Sequence, residues 1–107
     1  MQAAAAEKIQ QLQLLEQTLQ TISMQKQQSQ FQLAETDNAI KELASISQTP
    51  YKIIGNFMIQ TNKKDLEKEL LEKKEILELR LKTLAKQEKI SQEKAGEIQK
   101  EVMGNLS

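Results

Sequence analysis

The sequence predicts a mainly α chain: an antiparallel two-helix coiled coil joined by a β-hairpin that oligomerises into a β-barrel. Three observations predict it. Residues 2–47 contain neither Gly nor Pro and place apolar residues at alternating steps of three and four. After Pro50 comes a stretch rich in β-branched and aromatic residues, split by Gly55-Asn56. A helical pattern then returns from Asp65 to about Met103.

Composition agrees with that outline. A chain of 107 residues is expected to be a single domain, 1–107. Hydrophobic residues make up 38% of it but aromatics only 3%, with no Trp, so a compact globular core is not expected. Ala, Glu, Lys, Leu, Gln and Ile dominate, as they do in long helices.

The first helix is expected over 2–47, about 65 Å long at full extent. Its heptad seam runs through Leu12, Leu15, Leu19, Ile22, Lys26, Ser29, Leu33, Thr36, Ile40 and Leu43. Lys26, Ser29 and Thr36 are weak seam residues, and a looser coil is expected around them. Pro50 lacks an N–H and pushes Thr49 towards extended geometry, so the helix must end before it.

The hairpin is expected over 50–61. Gly55 supplies the positive φ that a type II′ turn needs at its first central position. The register then sets Ile54 opposite Phe57 and Ile53 opposite Met58. Both faces are apolar, with Tyr51, Ile53, Phe57 and Ile59 read as alternating with Ile54 and Met58.

A second helix is expected over 63–104, capped by Asn62 with Asp65 in a capping-box position. Its seam is Leu66, Leu70, Leu77, Leu81, Leu84, Ala95, Ile98 and Val102. Glu69→Lys73 and Glu78→Lys82 are favourable pairs along the helix surface, and Gly104 is the expected stop. The short connector folds the helices back on each other, pairing positions whose numbers add to about 111. Leu33 then meets Leu77 and Leu79, and Leu12 meets Ile98.

Several function classes drop out. Fifteen basic residues balance fifteen acidic ones and Arg80 is the sole Arg, so no nucleic-acid partner is expected. No apolar run approaches the roughly 18 residues of a membrane span, and the first residues lack the charged and apolar regions of a signal peptide. With no Cys, there is neither a disulfide framework nor thiolate chemistry, which suits a cytoplasmic protein. There is no His, no phosphate-binding glycine loop and no clustered ligand set, so no enzyme activity, metal or cofactor is expected. The Glu93, Glu97, Glu101 stripe reads as a solvated edge.

Surface physics points to partners instead. A lone hairpin is marginal in water, and a narrow coiled coil cannot cover one that is apolar on both sides. Hairpins of several subunits are therefore expected to join through Tyr51, Ile53, Ile54, Gly55, Phe57, Met58 and Ile59; the competing reading folds the hairpin over its own helix ends. Near the chain ends, Ile9, Leu12, Leu14, Leu15, Ile98, Val102, Met103 and Leu106 offer more apolar surface than one seam buries. A frayed tip of this kind suits the binding of non-native chains, with Met24 and Met103 as adaptable contacts.

The run Tyr51-Lys52-Ile53-Ile54-Gly55-Asn56 and the apolar strand after it resemble the hairpin signature of prefoldin β-type subunits. Glu67-Lys68-Glu69-Leu70-Leu71-Glu72-Lys73-Lys74, Leu79-Arg80-Leu81 and Lys86-Gln87-Glu88 are similar to the archaeal version. The resemblance spans the chain in layout and is specific over about 50–90; in the first helix it is compositional. Where family members often have acidic residues and a Val before the signature, Ser47-Gln48-Thr49-Pro50 stand here. The resemblance implies a hexamer of two α-type and four β-type subunits with hairpin β-barrels at its centre. It also implies an ATP-independent chaperone whose coiled-coil tips hold unfolded polypeptide and pass it to a group II chaperonin. The alternative function is a coiled-coil tether or adaptor for one folded helical partner, although tethers seldom interrupt a coil with a two-faced β segment.

Overall fold

Forty-four residues, Gln2–Ser45, form helix α1 before the backbone turns extended ahead of Pro50. The computed structural model describes residues 2–106, with side chains described for residues 3–104. α1 ends two residues short of expectation, and carbonyls at this end find side-chain partners. Lys63 Nζ donates to the carbonyls of Ala44 and Ile46 at 3.1 and 3.2 Å, and Ser45 Oγ donates to Glu42 O at 2.9 Å. These carbonyls lie where a helix leaves its acceptors unpaired and its dipole negative. α1 has no basic residue in its own last turn, so the cation comes from the start of the second helix.

Strands β1 (Tyr51–Ile54) and β2 (Phe57–Gln60) pair antiparallel in the expected register, Ile54 with Phe57 and Ile53 with Met58. Gly55 has φ +59° and no other described residue is positive, the signs of a type II′ turn. Thr61 N–H donates to Pro50 O at 3.1 Å and adds a rung to the ladder. The pairing corrects the composition of the two faces. Cross-strand partners share a face, so Tyr51, Ile53 and Met58 lie on one side and Lys52, Ile54, Phe57 and Ile59 on the other. The simple alternation expected from sequence fails because the two-residue turn brings residues three apart onto the same side.

Helix α2 (Lys63–Leu106) starts on a side-chain cap. Asp65 N–H donates to Asn62 Oδ1 at 2.8 Å, and Leu66 N–H donates to Asn62 O at 3.0 Å. Asn62 Nδ2 in turn donates to Asp65 Oδ2 at 2.7 Å, in place of the cap's backbone N–H that a longer Glu would reach. α2 continues through Gly104 rather than stopping there.

The chain divides into two units, one of residues 29–80 and one of residues up to 28 with those from 81 on. In the first, Ser29, Leu33, Thr36, Ile40 and Leu43 of α1 are covered, as are Leu66, Leu70, Lys74 and Leu77 of α2. Ser29 and Thr36 are each only 3% exposed, so the seam is closed where a looser coil was expected. Thr36 Oγ1 donates to Gln32 O at 2.8 Å, which satisfies the hydroxyl within its own helix. Leu79, expected beside Leu77, is exposed instead, because two residues on from Leu77 a helix has turned more than half a circle.

In the second unit the covered positions are Leu12, Leu15, Leu19, Ile22 and Lys26 on α1. Leu81, Leu84, Glu88, Ser91, Ala95, Ile98 and Val102 answer on α2. Lys26 Nζ donates to Glu88 Oε1 at 3.1 Å, so these seam charges meet each other. Lys8 pairs with Glu101 at 2.7 Å. Both pairs, and Asp37 with Lys74 in the other unit, follow the antiparallel pairing rule to within a few residues.

The Asp37–Lys74 pair gives a pH dependence. Asp37 Oδ1 lies 2.9 Å from Lys74 Nζ, and its hydrogen bond and then its charge hold the Lys74 pKa above the ordinary 10.5. A lysine whose folded pKa is raised stabilises the fold fully below its unfolded pKa, and that contribution is lost as pH climbs through the folded value. The gap in melting temperature between the parent chain and Asp37→Asn should therefore shrink as pH rises past 10.5, followed by helical circular dichroism. A gap that is constant across that range would remove the pair from the stability account.

Candidate functional site: the uncovered hairpin

Four-residue strands leave the hairpin no width with which to bury its own side chains. Tyr51, Ile53, Ile54, Phe57, Met58 and Ile59 are all exposed, Ile53 at 74% and Phe57 at 73%. The competing reading, in which the hairpin lies over its own helix ends, does not hold. Gly55 is exposed at the turn, and nothing lies within contact distance of the Cβ it lacks; its positive φ alone requires glycine there. Both strands also keep an open edge, since the sheet has only two strands.

Polar contacts tie this apolar element to its supports. Lys52 Nζ on β1 reaches Glu69 Oε1 on α2 at 2.7 Å. Glu69 is thereby committed to the strand rather than to the expected Lys73 partner. Lys63 and the Asn62–Asp65 cap fix the two chain segments that enter and leave the hairpin region. Sequence reasoning missed Lys63 and the Lys52–Glu69 pair. Each joins residues 17 or more apart, a relation that heptad spacing does not encode.

The residues expected to meet client chains fall into two groups. Ile9, Leu14 and Met103 are exposed. Leu12, Leu15 and Ile98 are half-buried and Val102 is buried, so these four belong to the seam and the picture of a frayed end is corrected for them. The reason is that both helices continue in register past these positions. The Leu106 side chain lies outside the described residues. Met24, the other adaptable contact, is exposed.

Among the described residues no group of His, Cys, Asp or Glu is arranged to hold a metal ion, and Glu101 of the acidic stripe pairs with Lys8. Among these residues, too, no helix is long and apolar enough to cross a membrane.

Comparison with known proteins finds consistent likenesses. A family model described as prefoldin subunit matches residues 6–107. The chain is 41% identical to prefoldin subunit beta of Archaeoglobus fulgidus over 91% of this chain and 85% of that protein. It is 37% identical to prefoldin subunit beta of Pyrobaculum calidifontis over 83% of this chain and 73% of that one. Among solved structures, the prefoldin beta subunit from Thermococcus strain KS-1 superposes with a TM-score of 0.87 at 34% identity, covering 96% of this chain and 92% of that one.

Proposed function

The chain belongs to the prefoldin beta subunit family, a family of chaperone subunits, and from that premise we propose that it acts as an ATP-independent holdase within a hetero-oligomer. One observation carries the reading: six large apolar side chains stand exposed on both faces of a two-stranded sheet with open edges. Leaving each of them wet forgoes roughly 1.5–3 kcal/mol, and closing hairpins from several subunits into barrels removes both the wet surface and the edges. In this reading four chains of this type join two α-type prefoldin subunits through Tyr51, Ile53, Ile54, Gly55, Phe57, Met58 and Ile59. Unfolded polypeptide is held by exposed aliphatic groups, Ile9, Leu14 and Met103 among them, and is passed to a group II chaperonin in the cytoplasm. No bound nucleotide takes part.

The test mixes this chain with an α-type prefoldin subunit and dilutes a chemically denatured protein into the complex without nucleotide. Light scattering from aggregation should be suppressed near one complex per client. A tether for a folded helical partner would leave the scattering unchanged even though the complex had assembled, and that result would end the holdase reading.

A further inference from the structure

Lys52 is the sole charged side chain in residues 51–60, and it shares a sheet face with Ile54, Phe57 and Ile59. Covering that face in an oligomer therefore takes an ammonium out of water along with three large apolar groups. Desolvating a charge is strongly unfavourable unless a counter-ion goes with it. The chain supplies one from outside the hairpin, since Lys52 Nζ donates to Glu69 Oε1 of α2 at 2.7 Å. Lys52 is the more sheltered partner, its side chain 29% exposed against 52% for Glu69.

The surroundings single out Glu69 for this task. Lys52 and Glu69 line one open groove of about 470 Å³ between the hairpin and the first turns of α2, together with Asp65 and Glu72. Asp65 is occupied by Asn62, whose Nδ2 donates to it at 2.7 Å. Glu72 makes no ion pair among the described residues. On the chain alone an exposed pair of this kind adds little to stability. Under a neighbouring subunit the same pair is screened less and matters more.

We propose that Glu69 is an assembly residue, holding the counter-ion that lets a neighbouring subunit cover the Lys52 face of the hairpin. It acts through Lys52 and makes no strand contact of its own with the neighbour. The proposal rests on the reading of hairpin-mediated assembly and deepens it by placing a determinant on α2, outside the strands. It also states what kind of surface fits there. A neighbour covering this face meets a pair that is already neutral, so it presents an apolar patch and needs no acidic group of its own.

The test is a competition. An isotopically heavy parent chain and an equal amount of light variant are mixed with a limiting α-type prefoldin subunit and brought to equilibrium. Mass spectrometry of the purified complex reads the heavy-to-light ratio of this chain. Glu69→Lys should be incorporated about tenfold less than the parent. Two double variants should recover to within about threefold of the parent. One is Lys52→Glu with Glu69→Lys, which restores the pair with its charges exchanged; the other is Lys52→Met with Glu69→Gln, which removes both charges. The unassembled Glu69→Lys chain should melt within about 3 °C of the parent. Glu75→Lys makes the same charge change on an exposed side chain farther along α2 and should compete equally with the parent.

Recovery of either double variant traces the loss to the stranded charge and supports the proposal. Equal incorporation of Glu69→Lys would overturn it and leave hairpin assembly standing. So would exclusion of both double variants as strong as that of Glu69→Lys, or equal exclusion of Glu75→Lys. A larger fall in the melting temperature of the unassembled chain would make Glu69 a residue of the fold alone and overturn the assembly role. A parent chain that forms no complex with the α-type subunit overturns both readings.

Discussion

Phe57→Asp is expected to abolish assembly while leaving both helices folded. Phe57 is 73% exposed in the chain alone and shares a sheet face with Ile54 and Ile59, so the substitution removes nothing that the isolated chain packs. In an oligomer the same position must be covered. Replacing the ring forgoes roughly 1.5–3 kcal/mol of burial, and an unpaired carboxylate there adds a desolvation penalty of at least a similar size. At about 1.4 kcal/mol per tenfold, each interface should weaken 100-fold or more. Size-exclusion chromatography with light scattering should find monomers or small species, and circular dichroism should find near-parent helicity. Ile53→Asp should act alike from the opposite face. A complex of parental mass in either variant would show that the hairpin does not assemble the protein.

Leu77→Ala is expected to have the largest effect on the chain's own stability. Leu77 is 3% exposed, the most deeply covered of the apolar side chains described. Truncating it removes three carbons, a methine and two methyls, from a seam that has no second layer to relax into the space, at about 2–5 kcal/mol. Single domains have only about 5–15 kcal/mol in total, so a fall in melting temperature of roughly 10 °C or more is expected for the unassembled chain. Ile76→Ala, one position earlier on an exposed face, should stay within about 0.5 kcal/mol of the parent. Equal losses in the two variants would mean that the heptad seam is not the source of stability.

The seam was legible in the sequence because heptad spacing is a local property. Every seam residue expected on α1 and α2 is covered, polar Lys26, Ser29 and Thr36 included. The turn was legible for a similar reason, since Gly at the first of two central positions dictates both turn type and register. What spacing could not reveal are the links between distant positions. Lys63 closing the end of α1 and Lys52 reaching Glu69 both depend on which residues the fold sets side by side. The expected fraying at Leu12, Leu15, Ile98 and Val102 erred for a physical reason. The exposed apolar surface near the chain ends sits on flanking positions such as Ile9, Leu14 and Met103, while the seam positions beside them are covered.

The Lys26–Glu88 contact has a bearing on how the two helices find their alignment. A repeating row of leucines tolerates sliding, because a shift of one heptad presents much the same greasy surface. Such a shift would set the ammonium of Lys26 near Leu81 or Ala95 and strand Glu88 among aliphatic neighbours. Separating a pair whose side chains are each about a quarter exposed leaves two charges partly desolvated without a counter-ion, and polar seam residues are known to single out one alignment in this way. This ionic contact thus helps to proofread the zipper, rejecting staggered mispairings that the leucines alone would accept.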